Sequence, residues 1–315
     1  MHYLVTGGAG FIGHHLVLKF IEEGHTVTVV DVVNDYYDVN IKEARLKRFP
    51  DSVMVHRVDI RDFDALETIF KSERFDAVCH LAAQAGVRYS LDHPEVYVST
   101  NYVGTFNIFE LAKKYSVPKV VFASTSSVYG TSKNMPFTEE NPVREPMSIY
   151  ASTKRSCELL GATYHHLYGI DVACLRFFTV YGPWGRPDMA LFKFTKAILS
   201  DEPIDVYNNG EMRRDFTYID DIVSGFSLAT EKVKGYEIIN IGNGSPVNLM
   251  DFIKVIEEKI GKKASINFMP LQPGDVPETY ADISHAKNLL GYNPQTSVKE
   301  GVENFIDWYK EMYNV

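Results

Sequence analysis

Apolar positions in the first 180 residues follow two rhythms in turn. Short, nearly continuous apolar runs at Tyr3-Leu4-Val5, 26–30, 53–56, 76–81, 119–124 and 171–176 read as strands buried on both faces. Between them apolar residues recur at helical spacing, first at Phe11, Ile12, Leu16, Val17 and Phe20, then near 62–72, 93–115 and 148–168. The alternation predicts an α/β fold, a doubly wound parallel sheet (Rossmann) with helices on both faces. Ligands of such sheets sit beyond the carboxyl ends of the strands. The residues at those ends are Asp59-Ile60, Leu81-Ala82-Ala83-Gln84, Ser124-Thr125-Ser126-Ser127 and Phe177-Phe178-Thr179.

Beyond about 180 the rhythm breaks into proline- and glycine-rich loops with helical patterns near 189–199, 248–260, 283–290 and 298–313. A smaller, irregular C-terminal substrate domain is expected there. The division falls at 1–178 and 179–315, with some later segments returning to the first domain.

The first strand runs straight into Gly7-Gly8-Ala9-Gly10-Phe11-Ile12-Gly13 and then into a helix. A strand, a glycine turn and a helix make a dinucleotide cradle, in which backbone approaches a pyrophosphate and the helix N-terminus supplies free N–H donors. The second strand ends at Asp31, placed to accept hydrogen bonds from an adenosine ribose and to repel a 2′-phosphate. No Arg follows at once, so NAD rather than NADP is expected; otherwise Asp31 is simply a turn residue. Asp59 is placed to accept from an adenine amino group with Ile60 on the ring, or else to cap the next helix. The small Ala82 and Ala83 allow close approach of a cofactor, or mark tight packing.

Composition adds limits. The net charge of −9 argues against nucleic acid or a membrane surface as the main partner. The chain shows no leader and no apolar run of transmembrane length, so a cytoplasmic protein is expected. The three cysteines, Cys79, Cys157 and Cys174, lack metal-ligand spacing and read as buried reduced thiols; no metal is expected.

Candidate chemistry lies at Tyr150-x-x-x-Lys154, whose side chains share a helix face about 5–6 Å apart at Cβ. A Lys ammonium beside a phenol lowers the phenol pKa from about 10, so that Tyr150 can move a hydroxyl proton near neutral pH. The spacing is common by chance. Here it follows the hydroxyl run Ser124–Ser127, which is poor core material unless each group finds a partner.

Over nearly its whole length the chain resembles the extended short-chain dehydrogenase/reductase superfamily. The resemblance rests on the glycine turn, Asp31, Asp59, Leu81-Ala82-Ala83, Asn101, the hydroxyl run and Tyr150/Lys154. Within it the nucleotide-sugar epimerases match best. This implies bound NAD, a nucleoside-diphosphate sugar as substrate, and Tyr150 as base. Lys154 would hold the nicotinamide ribose, Thr125 would bond the reacting C4 oxygen, and Asn101 would fix the backbone around the pair. Gly7, Gly10, Phe11, Ile12, Gly13, Asp31, Asp59, Ile60, Leu81, Ala82, Ala83, Asn101, Ser124, Tyr150, Lys154 and Phe177 are the implied cofactor contacts. Related enzymes dimerise through the helices near 93–115 and 148–168, which implies a homodimer; the same apolar residues would equally serve as internal core. Tyr129 is either near the site or packing.

Departures within the superfamily narrow the substrate. Ser126 and Ser127 stand where the dehydratases carry an Asp-Glu pair and the decarboxylases a Glu, which argues against elimination. Thr179 stands where UDP-galactose epimerases have Asn. The string Val180-Tyr181-Gly182-Pro183-Trp184-Gly185-Arg186, with Ala85-Gly86-Val87-Arg88 upstream, is similar to UDP-glucuronate 4-epimerases. A hexuronic acid carries a carboxylate beside the reacting C4, to which Thr125, Ser126, Ser127 and Thr179 can donate, with Arg186 as a neighbouring charge. Arg186 otherwise anchors a loop, and Arg88 is either a substrate contact or a surface charge. Arg214 is assigned to the diphosphate, Asp275 of Gln272-Pro273-Gly274-Asp275 to the nucleotide, and Tyr207 to stacking on uracil, with Phe192 and Lys193 lining the same pocket. A neutral-hexose 4-epimerase is the alternative activity, and an inactive NAD-binding regulator the alternative class.

Overall fold

The computed structural model describes all residues from 1 to 315. Its first half runs β1 (His2–Thr6), α1 (Phe11–Glu22), β2 (Thr26–Val30), α2 (Val39–Leu46), β3 (Met54–His56), α3 (Phe63–Ser72) and β4 (Ala77–His80). Short helices α4 (Tyr89–Asp92) and α5 (Pro94–Tyr97) then lead through a π-helical turn (Val98–Val103) into α6 (Gly104–Lys114), β5 (Lys119–Thr125), α7 (Ile149–Tyr168) and β6 (Asp171–Phe177). The second half holds β7 (Thr179–Tyr181), α8 (Ala190–Leu199), β8 (Ile204–Val206), β9 (Arg213–Arg214), β10 (Phe216–Tyr218), α9 (Ile219–Lys232) and β11 (Tyr236–Ile241). It ends with β12 (Val247–Asn248), α10 (Leu249–Ile260), β13 (Ile266–Phe268), α11 (Ser284–Leu290) and α12 (Val298–Tyr313).

Seven strands form one parallel sheet in the order β11-β6-β5-β4-β1-β2-β3. Strand residues alternate between two cores, as period-two side chains must. Leu4, Val30, Val120, Phe122 and Val172 pack with residues of α3, α6 and α7. Tyr3, Val5, Val29, Val121 and Ala173 pack on the other face with α1, α9 and the C-terminal segments. The order reverses between β1 and β4, so the glycine turn and the β4 and β5 ends share one crevice.

Three elements differ from the sequence reading. The helical pattern near 93–115 is broken by the π-helical turn, whose extra residue per turn re-aims Asn101; Gly104 then passes so close to Ile60 that a Cβ would lie 2.5 Å from its Cδ1. Helix α2, started by Asp38 accepting from the Asn40 N–H, falls in a stretch for which no element was expected. In the second half helix α9 lies outside the four expected helical stretches; it and β11 are the segments that return to the sheet, β11 pairing along β6 from Tyr236↔Val172 to Ile241↔Phe177. No helix is long and apolar enough to cross a membrane.

Candidate active site

The glycine turn is held by its own backbone. Gly7 N–H donates to Val30 O (2.7 Å) and Gly10 N–H to Gly7 O (3.0 Å). Gly7 has φ +77°, and a Cβ there would lie 2.6 Å from Ala82 N; one on Gly13 would lie 2.2 Å from Gly7 O. Only glycine fits at either position, and the turn brings backbone without side chains to the N-terminus of α1. The Asp31 carboxylate accepts from Ala9 N (2.9 Å) and Val33 N (2.7 Å), and burial pushes its pKa up. Each oxygen keeps lone-pair capacity for a ribose hydroxyl. These residues therefore fit a dinucleotide. Phe11 and Ile12 start the helix, and Leu81, Ala82 and Ala83 line the opposite wall, where Leu81 N donates to Thr6 O and Ala82 N to Thr6 Oγ1. That threonine is tied in turn to His80 Nδ1 (2.7 Å), whose other nitrogen meets Thr105 Oγ1 (2.9 Å). Burial lowers His80 to about 3, so it is neutral.

At the β3 end the Asp59 carboxylate is taken by Arg61, through its backbone N–H (2.8 Å) and its guanidinium Nη2 (2.6 Å). The following helix is capped by Asp62, which accepts from Ala65 N. Ile60 is buried beneath Gly104.

Tyr150 and Lys154 occupy the first turns of α7, whose N-cap Ser148 accepts from Ala151 N. Tyr150 is half-buried, and its ring meets Tyr97 edge-on at 6.1 Å. Burial raises the phenol pKa, opposed by the polar hydroxyl of Thr125 and by the charge of Arg186. Lys154 points elsewhere than expected: Nζ donates to Ala123 O (2.9 Å) and lies 4.7 Å from the Phe122 ring centroid. Thr125 and Arg186, rather than the lysine, act on the phenol in this arrangement. Thr125 Oγ1 also accepts from Ser127 N (3.2 Å) and donates to Ser127 Oγ (3.2 Å), closing a 3₁₀ turn over Ser126–Tyr129. Asn101 pins this region, its Oδ1 accepting from Gln84 N (2.7 Å) and its Nδ2 donating to Gln84 O (3.0 Å) and Thr153 Oγ1 (3.3 Å).

Ser124 turns away from the crevice. Its hydroxyl donates to Glu158 Oε1 (2.6 Å), which also receives Arg176 Nε (2.9 Å), because neighbouring residues of a strand face opposite sides. Its assignment as a cofactor contact is therefore not met by its side chain. Tyr129 is core: its hydroxyl donates to Asn240 Oδ1 (2.6 Å) and its ring stacks on Phe137. Phe177 is buried at the end of β6.

Beyond β6, Thr179 opens β7, paired with Phe216 of β10. Thr179 and Arg186 line one small cavity of about 40 Å³, with Phe11 on its wall. The Arg186 guanidinium is already matched by Asp188, through Nε to Oδ1 (2.9 Å) and Nη2 to Oδ2 (2.5 Å). Phe192 and Lys193 do not share a pocket. Adjacent helical residues point about 100° apart, so Phe192 enters an aromatic cluster with Phe305 and Tyr309 while Lys193 is exposed.

Four residues distant in sequence do converge. Arg88 Nη2 donates to Asp275 Oδ2 (3.0 Å), and its guanidinium lies 4.8 Å from the Tyr207 ring centroid. The charges of Asp275 and Arg88 both bear on Arg214, whose Nη1 donates to Pro277 O (3.0 Å). The loop is fixed from below by buried Asp215, which accepts from Asn243 N (2.7 Å), Gly244 N (3.0 Å) and Ala281 N (3.1 Å). His80, Glu158 and Asp215 carry no spacing signature in the sequence, because their partners Thr6, Arg176 and the 243–281 backbone lie far along the chain.

Residues 4–305 match the model of the GDP-mannose 4,6 dehydratase family. The chain belongs to this family of nucleotide-sugar enzymes within the extended short-chain dehydrogenases/reductases. It is 48% identical to the UDP-glucuronate 4-epimerase of Thermodesulfobacterium geofontis, over 98% of this chain and 96% of that one. Among solved structures it is similar to the UDP-glucuronic acid 4-epimerase of Bacillus cereus in complex with UDP-glucuronic acid and NAD, with a TM-score of 0.93, 37% identity and coverage of 99% and 100%. It is also similar to the UDP-glucose 4-epimerase of Thermotoga maritima with UDP-glucose, at TM-score 0.92, 33% identity and the same coverage. The family description names a dehydratase, but the two positions after Thr125 carry hydroxyls here and no carboxylate.

Proposed function

We propose that this chain is an NAD-dependent UDP-glucuronate 4-epimerase that interconverts UDP-glucuronate and UDP-galacturonate. The observation that carries the reading is Tyr150 in the first turn of α7 beside the hydroxyl turn Thr125-Ser126-Ser127 at the carboxyl edge of β5, where Thr125 and the charge of Arg186 both oppose the effect of burial on the phenol. The glycine turn and Asp31 would hold NAD, which when bound would supply the acceptor and later the donor of the C4 hydride. Tyr150 takes the C4 hydroxyl proton and returns it after the sugar has turned over. Its raised pKa keeps the phenol protonated in the free protein, so deprotonation is favoured only once positive charge is held close by. Thr125 orients the C4 oxygen, and Lys154, held on Ala123 O, stands by the ribose side.

A hexuronic acid oxidised at C4 is a β-keto acid, which loses CO₂ when its carboxylate lies perpendicular to the ketone plane. Neutral donors at Thr125, Ser126, Ser127 and Thr179 fix the carboxylate without a charge that must be re-paired. Asp188 holds the Arg186 guanidinium in place through a two-point pair. Arg88, Tyr207, Arg214 and Asp275 hold the uridine diphosphate and act as the fixed pivot. Residues 1–178 serve the cofactor and 179–315 the nucleotide sugar, apart from the 219–241 return to the sheet.

The exposed apolar side chains Val98, Tyr102, Val103 and Phe106 on the π turn and α6, with Leu159 on α7, support a homodimer. The buried free cysteines suit a cytoplasmic location. Incubation with UDP-glucuronate should yield a mixture with UDP-galacturonate. An inert result with rapid turnover of UDP-glucose would replace the reading by a neutral-hexose epimerase.

A further inference from the structure

Arg45, on α2, is fully buried, yet no carboxylate pairs with it. Nη1 donates to Ala9 O (2.9 Å) in the glycine turn and to the Tyr37 hydroxyl (2.7 Å). Nη2 donates to Trp184 O (2.6 Å), with Gly185 O at 3.4 Å. One planar fork therefore joins the cofactor turn to the loop that carries Arg186.

Both ends of the fork are constrained. The same Ala9 gives its N–H to the Asp31 carboxylate, so the acid, the turn and Arg45 lie on one hydrogen-bonded line. At the other end Trp184 sits at φ +61°, a left-handed conformation that a bulky aromatic residue adopts only when its surroundings impose it. Its indole is hemmed by the Arg48 guanidinium (5.0 Å to the centroid), His14 (5.8 Å) and Trp308 (5.4 Å). Two residues later comes Arg186, paired with Asp188, to which Tyr36 also donates (3.4 Å).

We infer that Arg45 is a positioning residue that couples occupancy of the dinucleotide turn to the shape of the sugar-binding loop 182–188. It touches neither ligand. When a dinucleotide orders the Ala9 peptide, the fork holds the Trp184 and Gly185 carbonyls in place. When the turn relaxes, the strained loop loses its anchor and Arg186 loses its setting. By reciprocity a nucleotide sugar on that loop tightens the dinucleotide in turn. The inference rests on the function proposed above for the identity of the two ligands.

The chain has two tryptophans, Trp184 and Trp308, so its fluorescence reports on this junction. In a Trp308→Phe background, with excitation on the red edge where tyrosine does not absorb, Trp184 is the one emitting side chain. NAD titrated into protein stripped of nucleotide should shift its emission. Arg45→Lys keeps the charge but cannot bridge the acceptors, and should bind NAD with less than a fifth of that shift. With UDP-glucuronate the Lys variant should show KM raised at least tenfold and kcat per bound NAD changed less than threefold. An equal emission shift in both proteins, or a loss of kcat alone at unchanged KM, overturns the inference. Should the Lys variant not fold, hydrogen exchange in the unsubstituted protein decides: the Gly185 amide, bonded to Gly182 O at 3.1 Å, should slow at least tenfold on adding NAD, and an unchanged rate overturns it. Failure of the unsubstituted protein to turn over UDP-glucuronate, with the emission shift intact, would refute the substrate and leave the coupling standing.

Discussion

Replacing Lys154 by Met should stabilise the folded protein while destroying its activity. The side chain is 3% exposed, its ammonium has one backbone partner, and burial lowers its pKa from 10.5 to about 8. A lysine held that far below its usual value destabilises the folded state by about 3 kcal/mol at pH 7. Met fills nearly the same volume against Phe122, but leaves Ala123 O without this donor at a cost of about 1 kcal/mol. The net gain is about 2 kcal/mol, or about 3 °C in Tm for a chain of this length. Below about pH 8 both folded and unfolded lysines are protonated, so the difference is constant. Between about 8 and 10.5 the unfolded chain binds more protons, the unsubstituted protein gains stability as pH rises, and the advantage of the variant fades. Thermal unfolding of both proteins, stripped of nucleotide, at pH 7 and pH 10 reads this directly. A variant that melts lower at pH 7, or keeps its full advantage at pH 10, refutes the reasoning.

The other substitutions probe separate parts of the site. Tyr150→Phe should leave NAD content and Tm unchanged while lowering epimerisation at least 10³-fold, measured by separating the two UDP-sugars. Glu158→Gln leaves the Arg176 guanidinium, 1% exposed, without its carboxylate; denaturation should show a loss of about 3–5 kcal/mol, and Glu158→Leu with Arg176→Met should recover most of it. Gly13→Ala puts a methyl 2.2 Å from Gly7 O, so the folded variant should carry less than a tenth of the normal NAD, read by absorbance after acid release.

The features legible in the sequence are those that repeat or punctuate. The six first-half strands, the glycine turn and the Tyr150/Lys154 helix follow from apolar period and glycine spacing, which local geometry enforces. The return of β11 was not legible as a strand position, because Tyr-Glu-Ile-Ile-Asn-Ile has neither clean alternation nor a continuous apolar run; what makes it a strand is pairing with β6. The direction of Lys154 depends on the carbonyl of Ala123, on a strand 31 positions away, and spacing along one helix carries nothing about it. Phe192 and Lys193 were read as one pocket because they are adjacent, which is the arrangement a helix keeps apart. Tyr207, Arg214 and Asp275 are assigned from sequence to parts of the nucleotide and Arg88 stays open between substrate and surface; their meeting depends on contacts between segments far apart in the chain, among them loops pinned by Asp215.

The central claim is that C4 is oxidised and reduced again within one active site, with Tyr150 moving only the hydroxyl proton. UDP-glucuronate carrying deuterium at C4, incubated in ordinary water until both epimers are present, tests it most directly. The account predicts UDP-galacturonate that retains deuterium at C4, read by mass and proton resonance, because the hydride leaves and returns without exchanging with water. Galacturonate formed with protium at C4 would contradict it, since the inversion would then proceed through solvent-exchanged proton transfer.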